Sequence, residues 1–100
     1  MAIGDAETAL SDDPGVEIAV LHDVPGETVR VEHYAAGAVA LPRDLPGGGE
    51  YLVLDGTFED EAGTYPQGSW LRLPPHAVHQ PRSTAGCVVW SKTGHLADLV

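Results

Sequence analysis

The feature that most restricts this chain is how often glycine and proline interrupt residues 37–79. Six residues separate Gly49 from Gly56, and five separate Gly68 from Pro74. An amphipathic helix needs about ten or more uninterrupted residues, whereas a strand is complete in about four to eight. The runs between the breaks suit strands. Residues 16–21 and 28–34 alternate apolar with polar side chains and are rich in β-branched types, and residues 69–73 and 87–92 carry the same character. Asp55-Gly56 is the strongest two-residue hairpin signal, because both central positions of such a turn favour positive φ. It is expected to divide residues 51–54 from residues 57–60, with Glu61-Ala62-Gly63 turning the chain again. Many short strands and no sustained helical period predict an all-β antiparallel fold, closed or built from two sheets.

One hundred residues, 43% of them hydrophobic, make a single domain with one core. The expected division is a loose lead-in over residues 1–14, a barrel over 15–92 and a tail over 93–100, in which Leu96 and Leu99 dock as a short helix. A formal net charge of -10 repels phosphate backbones and anionic headgroups, which argues against nucleic acid and membrane as partners. The opening MAIGDAETALSDDPG has neither a basic region nor a long apolar run, so a cytoplasmic location is expected. The single cysteine, Cys87, fits a reducing compartment and sits in a strand-like run as a buried thiol. Residues 51–54 are apolar on both faces, so one face should look into the barrel and the other should meet a second sheet or another subunit. A homodimer is expected through that face.

Two spaced half-motifs carry the most specific signal. The first runs Gly37, five residues, Arg43-Asp44-Leu45, three residues, Gly49, six residues, Gly56; the second runs Gly68, five residues, Pro74-Pro75-His76, two residues, His79. With them go the runs from Gly48 to Glu61, from Tyr65 to Pro75 and from His79 to Ser83, and Gly86-Cys87. Together these resemble the ChrR-like branch of the RmlC-like cupin superfamily, which is named for the cupin domain of an anti-sigma factor and includes an acetylacetone-cleaving dioxygenase. The resemblance implies the cupin double-stranded β-helix, a jelly-roll barrel.

It also implies a metal held by two histidines of a His-x-His, a glutamate and a later histidine. Those positions fall here on Arg43, Leu45, Gly49 and His79. Arg43 is cationic at any working pH, and Leu45 and Gly49 have no donor atom. Glu50 is one residue out of register and points to the opposite face. By the family motif no metal site remains and no cofactor is expected. A divalent transition metal would need a relocated set, His79 with His76 or His33. His22 and His95 read as surface residues, and the acidic run Glu59-Asp60-Glu61 reads as a solvated hairpin tip.

Without metal, Arg43 would offer a guanidinium fork suited to a carboxylate or enolate. His79 would be the candidate catalytic acid or base. Tyr51, Val53, Trp70 and Trp90 would line the pocket, with Arg72 and His76 at its mouth. The leading expectation is a metal-free pocket for a small organic ligand, carboxylate or dicarbonyl-like, in a sensory or accessory role. Its rivals are a small cupin enzyme, dioxygenase, isomerase or hydrolase, with metal on the relocated set, and a regulatory protein-interaction module.

Overall fold

The computed structural model of the chain describes residues 8–10 and 13–96. Eleven strands follow in order: β1 Thr8–Leu10, β2 Val16–Val24, β3 Glu27–Tyr34, β4 Ala38–Val39, β5 Arg43–Leu45, β6 Gly49–Asp60, β7 Gly63–Pro66, β8 Trp70–Leu73, β9 Ala77–His79, β10 Arg82–Ser83 and β11 Cys87–Thr93. No helix forms among the described residues. The described residues form an all-β antiparallel fold in a single small domain.

The long strand β6 joins the two walls. Its first half pairs with β11 and β8, and β11 continues through β3 and β2 to β1, making a six-stranded antiparallel wall. Its second half pairs with β7 and β10, and β10 pairs with β4. A separate two-stranded ladder, β5 with β9, sets Arg43 opposite His79 and Leu45 opposite Ala77. The core lies between the large wall and these smaller sheets. Tyr34, Tyr51, Val53, Phe58, Leu71, Cys87 and Val89 fill it.

Two departures from the sequence pattern have local causes. Asp55-Gly56 does not form a hairpin: β6 runs straight through it. Gly56 takes φ 73° where the two sheets meet, and a β-carbon there would collide with the Gly86 carbonyl, so the glycine is a crossing point. The reversal comes later, at Glu61-Ala62, where Asp60 Oδ1 accepts the amides of Ala62 and Gly63 at 2.8 and 3.1 Å. The lead-in is also more ordered than composition suggests, since Thr8–Leu10 pairs with β2.

The glycine-rich loop before β6 lets the end of the chain pass. A β-carbon on Gly47 would strike the Gly94 backbone, and Leu96 donates its amide to the Gly47 carbonyl at 2.9 Å. Leu96 is buried by this crossing without any helix; Leu99 lies outside the described residues.

β-Bulges set which side chains share the outer face of the large wall. The β6–β11 register skips Leu54, and the β2–β3 register skips Leu21. Each skip adds a leucine to that face without reversing the rest of the strand. Among the described residues no helix is long and apolar enough to cross a membrane.

Candidate functional site

All four family metal positions look into the barrel. Arg43 and His79 are directly paired across β5 and β9, so their side chains leave the ladder on one side. Leu45, two residues on, shares that side and is buried. Gly49, also buried, begins β6, where a β-carbon would come within 3.1 Å of Thr93 Cγ2.

Arg43 is held by an acid that the sequence motifs do not flag. Glu32, on β3, is 0% exposed. Its Oε1 accepts from Arg43 Nη1 at 3.0 Å and from Tyr34 Oη at 2.8 Å. Its Oε2 meets Arg30 Nη2 and Ser91 Oγ, each at 3.1 Å. Burial works against a charge on Glu32, but the two guanidinium groups outweigh it and hold the carboxyl below its ordinary range. Burial likewise opposes the Arg43 cation, and Glu32 overcomes it, so Arg43 stays charged. The second arm of Arg43 is less committed: Nη2 lies 3.5 Å from Asp13 Oδ2.

His79 is pinned on its other side. It is 0% exposed, and Nε2 lies 3.1 Å from Asp60 Oδ2. Asp60 is buried too, since its Oδ1 closes the Glu61-Ala62 turn and takes the Tyr65 hydroxyl at 3.1 Å. The expectation of a solvated tip therefore fails at Asp60, because the turn folds its carboxylate inward. The His79 ring sits 5.2 Å from Tyr51 and 5.9 Å from Phe58, centroid to centroid.

Three buried polar atoms here lack a well-formed hydrogen bond, Arg30 Nε, Tyr51 Oη and His79 Nδ1, and of these the Tyr51 hydroxyl is approached by the Arg43 guanidinium. Burial and the Glu32 charge push the Tyr51 phenol up to about 12, while the Arg43 charge pulls the other way. Tyr51 is therefore a neutral donor at any working pH. The structure thus brings Arg43, Tyr51 and His79 together, with Val53 in the same core.

Trp70, Arg72 and Trp90 are placed elsewhere. Leu52 pairs with Trp90 and with Trp70, and Glu50 with Arg72, one residue out of phase with Tyr51 and Val53. Parity puts these three on the outer face, against the expectation that they line the pocket or its mouth. Trp70 is 59% exposed, and its ring centroid lies 6.4 Å from that of Trp90. His76 is exposed at φ 69°, where the two prolines and the turn leave it no way inward. His33 pairs with Glu17 and Val88 on the outer face, one wall away from His79.

The relocated metal set does not converge, and no group of three or more His, Cys, Asp or Glu among the described residues could hold an ion. The family positions do not fit a metal either. They offer one imidazole, already engaged by Asp60, beside a guanidinium. His95 is a further correction to the surface reading: its Nε2 meets Glu50 Oε1 at 2.8 Å with the ring mostly buried. His22 is half exposed against Glu27.

Comparison with known proteins gives the family. The family described as "ChrR Cupin-like domain" matches residues 3–97. No curated protein matches the chain in sequence. Among solved structures, the complex of Rhodobacter sphaeroides SigE with the anti-sigma ChrR superposes with a TM-score of 0.80 at 21% identity, covering 92% of this chain and 50% of that one. An acetylacetone dioxygenase from Acinetobacter johnsonii gives 0.80 at 17%, covering 93% and 70%. The polyketide cyclase RemF from Streptomyces resistomycificus gives 0.81 at 12%, covering 95% and 78%. Likeness at these identities is one of fold, and this chain spans half the length of the matched chain in the anti-sigma complex.

Proposed function

The chain belongs to the family of ChrR cupin-like domains, and from that premise we propose that it binds a small organic ligand, a carboxylate or the enolate of a dicarbonyl, in a metal-free pocket at the barrel centre. The role is sensory or accessory. The observation that carries this reading is the pair of orphaned buried atoms, Tyr51 Oη and His79 Nδ1, beside the Arg43 guanidinium. Each such orphan costs on the order of 1–3 kcal/mol, and a polar guest would recover it. Arg43 supplies the anion contact, Tyr51 a neutral donor, His79 a nitrogen of either role, and Phe58 with Val53 an apolar floor.

The enzyme reading draws less support. His79 is engaged by Asp60 and enclosed by Tyr51 and Phe58, and His76 and His33 lie away from it. The dioxygenase and cyclase among the fold neighbours do not carry their activities to this chain.

A second observation favours a protein contact as well. Leu21, Val31, Leu52, Leu54, Trp70 and Trp90 line one apolar groove on the outer face of the large wall. We propose that this face pairs with a second copy, which would explain why β6 is apolar on both sides.

A thermal-shift screen of carboxylates and dicarbonyls tests the ligand reading. A binder raises the melting temperature of the wild type, and Tyr51→Phe weakens that response while leaving the fold intact. Arg43→Ala abolishes it, though this variant also strips Glu32 of a partner. The reading is overturned if no compound shifts the wild type, or if a compound shifts the wild type and Tyr51→Phe equally.

A further inference from the structure

We infer that Asp13 is a built-in occupant of the anion site: its carboxylate holds the outer arm of Arg43, and a small monocarboxylate binds by displacing it. This rests on the interior pocket proposed above and names the ligand class that the pocket takes.

The argument starts from the asymmetry of Arg43. Its inner arm meets Glu32 at 3.0 Å, and Glu32 is tied in turn to Arg30, Tyr34 and Ser91. Removing Glu32 would leave two guanidinium groups facing each other in the core, so that carboxylate is not exchangeable. The outer arm meets Asp13 Oδ2 at 3.5 Å, longer than the roughly 2.7–2.9 Å of a charge-assisted hydrogen bond. Asp13 comes from the segment ahead of β2, and its side chain is mostly buried, 11% exposed. The outer arm is therefore held by a group of the ligand's own chemistry, at a distance longer than such a bond prefers.

That geometry narrows the ligand. With one arm of the fork already neutralised by Glu32, the other can take a single negative charge. A dicarboxylate would bring its second charge toward Glu32, in surroundings of low dielectric where like charges repel strongly. The same geometry links the site to the surface. Asp13 Oδ1 accepts the Leu41 amide at 2.8 Å, so a ligand that takes Asp13's place frees that amide. Leu41 is 64% exposed and follows the edge strand β4, whose Val39 is also exposed. Occupancy of the interior is thereby read out at an apolar edge, as a sensory role requires.

Propionate, with propionamide and succinate as controls, tests this by titration calorimetry and by NMR of the Leu41 amide. Propionate is expected to bind Asp13→Asn about five-fold more tightly than wild type, as loss of a competing carboxylate on the same guanidinium implies. Propionamide should show no such gain. On the wild type, propionate should outbind succinate and should shift the Leu41 amide and speed its exchange, a measurement that needs no variant. Equal propionate affinity in wild type and Asp13→Asn, or a Leu41 amide unmoved while Tyr51 and His79 resonances shift, overturns the displacement and leaves the pocket standing. Propionate binding to neither protein, with Tyr51 and His79 unperturbed, overturns the pocket and the displacement together.

Discussion

The two faces of the large wall contrast: the inner one buries a charged cluster within the apolar core, and the outer one carries a tryptophan-lined groove. The inner face carries Arg30, Glu32, Tyr34, Tyr51 and Ser91 at the centre of the barrel, and the outer face carries Val31, Leu52, Leu54, Trp70 and Trp90. Charge is buried and tryptophan faces outward. The inner face tolerates this because Glu32 is fully bonded, to two guanidinium groups and two hydroxyls. On the outer face Val31 is covered, while Trp70 is left 59% exposed among the described residues. Alternation along a strand thus assigns side chains to two faces without saying which face is wet.

The largest effect expected from breaking the contrast is at Glu32. Glu32→Gln leaves Arg30 and Arg43 without their shared counter-charge and should cost on the order of 3–5 kcal/mol in urea unfolding. Glu32→Gln with Arg43→Met should be less damaging than the single change, because it removes the stranded cation as well. A single variant as stable as wild type would show that the inner face does not depend on the cluster.

Acidification probes the same cluster reversibly. Glu32 sits below its ordinary pKa of 4.5 in the folded protein, so it binds its proton less readily folded than unfolded. Its contribution is complete above about pH 4.5 and erodes as pH falls from there through the folded value. Urea midpoints measured across that range should fall with pH in the wild type and fall less steeply in Glu32→Gln.

The comparison also explains what the sequence could disclose. The Gly and Pro punctuation was enough for an all-β antiparallel fold, and the family resemblance implied the jelly roll and the barrel-centre positions of Arg43, Leu45, Gly49 and His79. Glu32 stayed hidden because residues 28–34 alternate like a strand with one wet face, and the face that looked wet is the barrel interior. A usable signal was present: Arg30 and Glu32 share a face, and an interior Arg43 needs an acid. Trp70 and Trp90 were drawn inward by their size, although Trp70 is one β8 residue from the buried Leu71. Asp60 was misread because the turn expected at Glu61-Ala62-Gly63 was taken to leave the whole acidic run in solvent, whereas the Asp60 carboxylate accepts that turn's own amides and faces His79.

Smaller effects sharpen the contrast. Tyr51→Phe removes an inner-face hydroxyl that lacks a well-formed hydrogen bond, so the ligand-free protein should keep its stability or gain up to about 1 kcal/mol. A loss of more than that would mean the hydroxyl is bonded, by water or by the Arg43 arm, and would weaken the case for a guest.

The outer face should give the smallest change in folding and the clearest change in association. Trp70 is 59% exposed on β8, so Trp70→Lys removes little buried area from the folded chain and should alter its unfolding free energy by no more than about 0.5 kcal/mol. If that face meets a second copy, the same substitution places a charge in an apolar contact on both partners. Sedimentation should then show the wild type as a dimer and the variant as a monomer. An identical mass for the two proteins would separate the tryptophans from self-association. The contrast would then be a property of one chain, its outer groove lined by the two bulged leucines and the tryptophan rings with Val31 buried at its base.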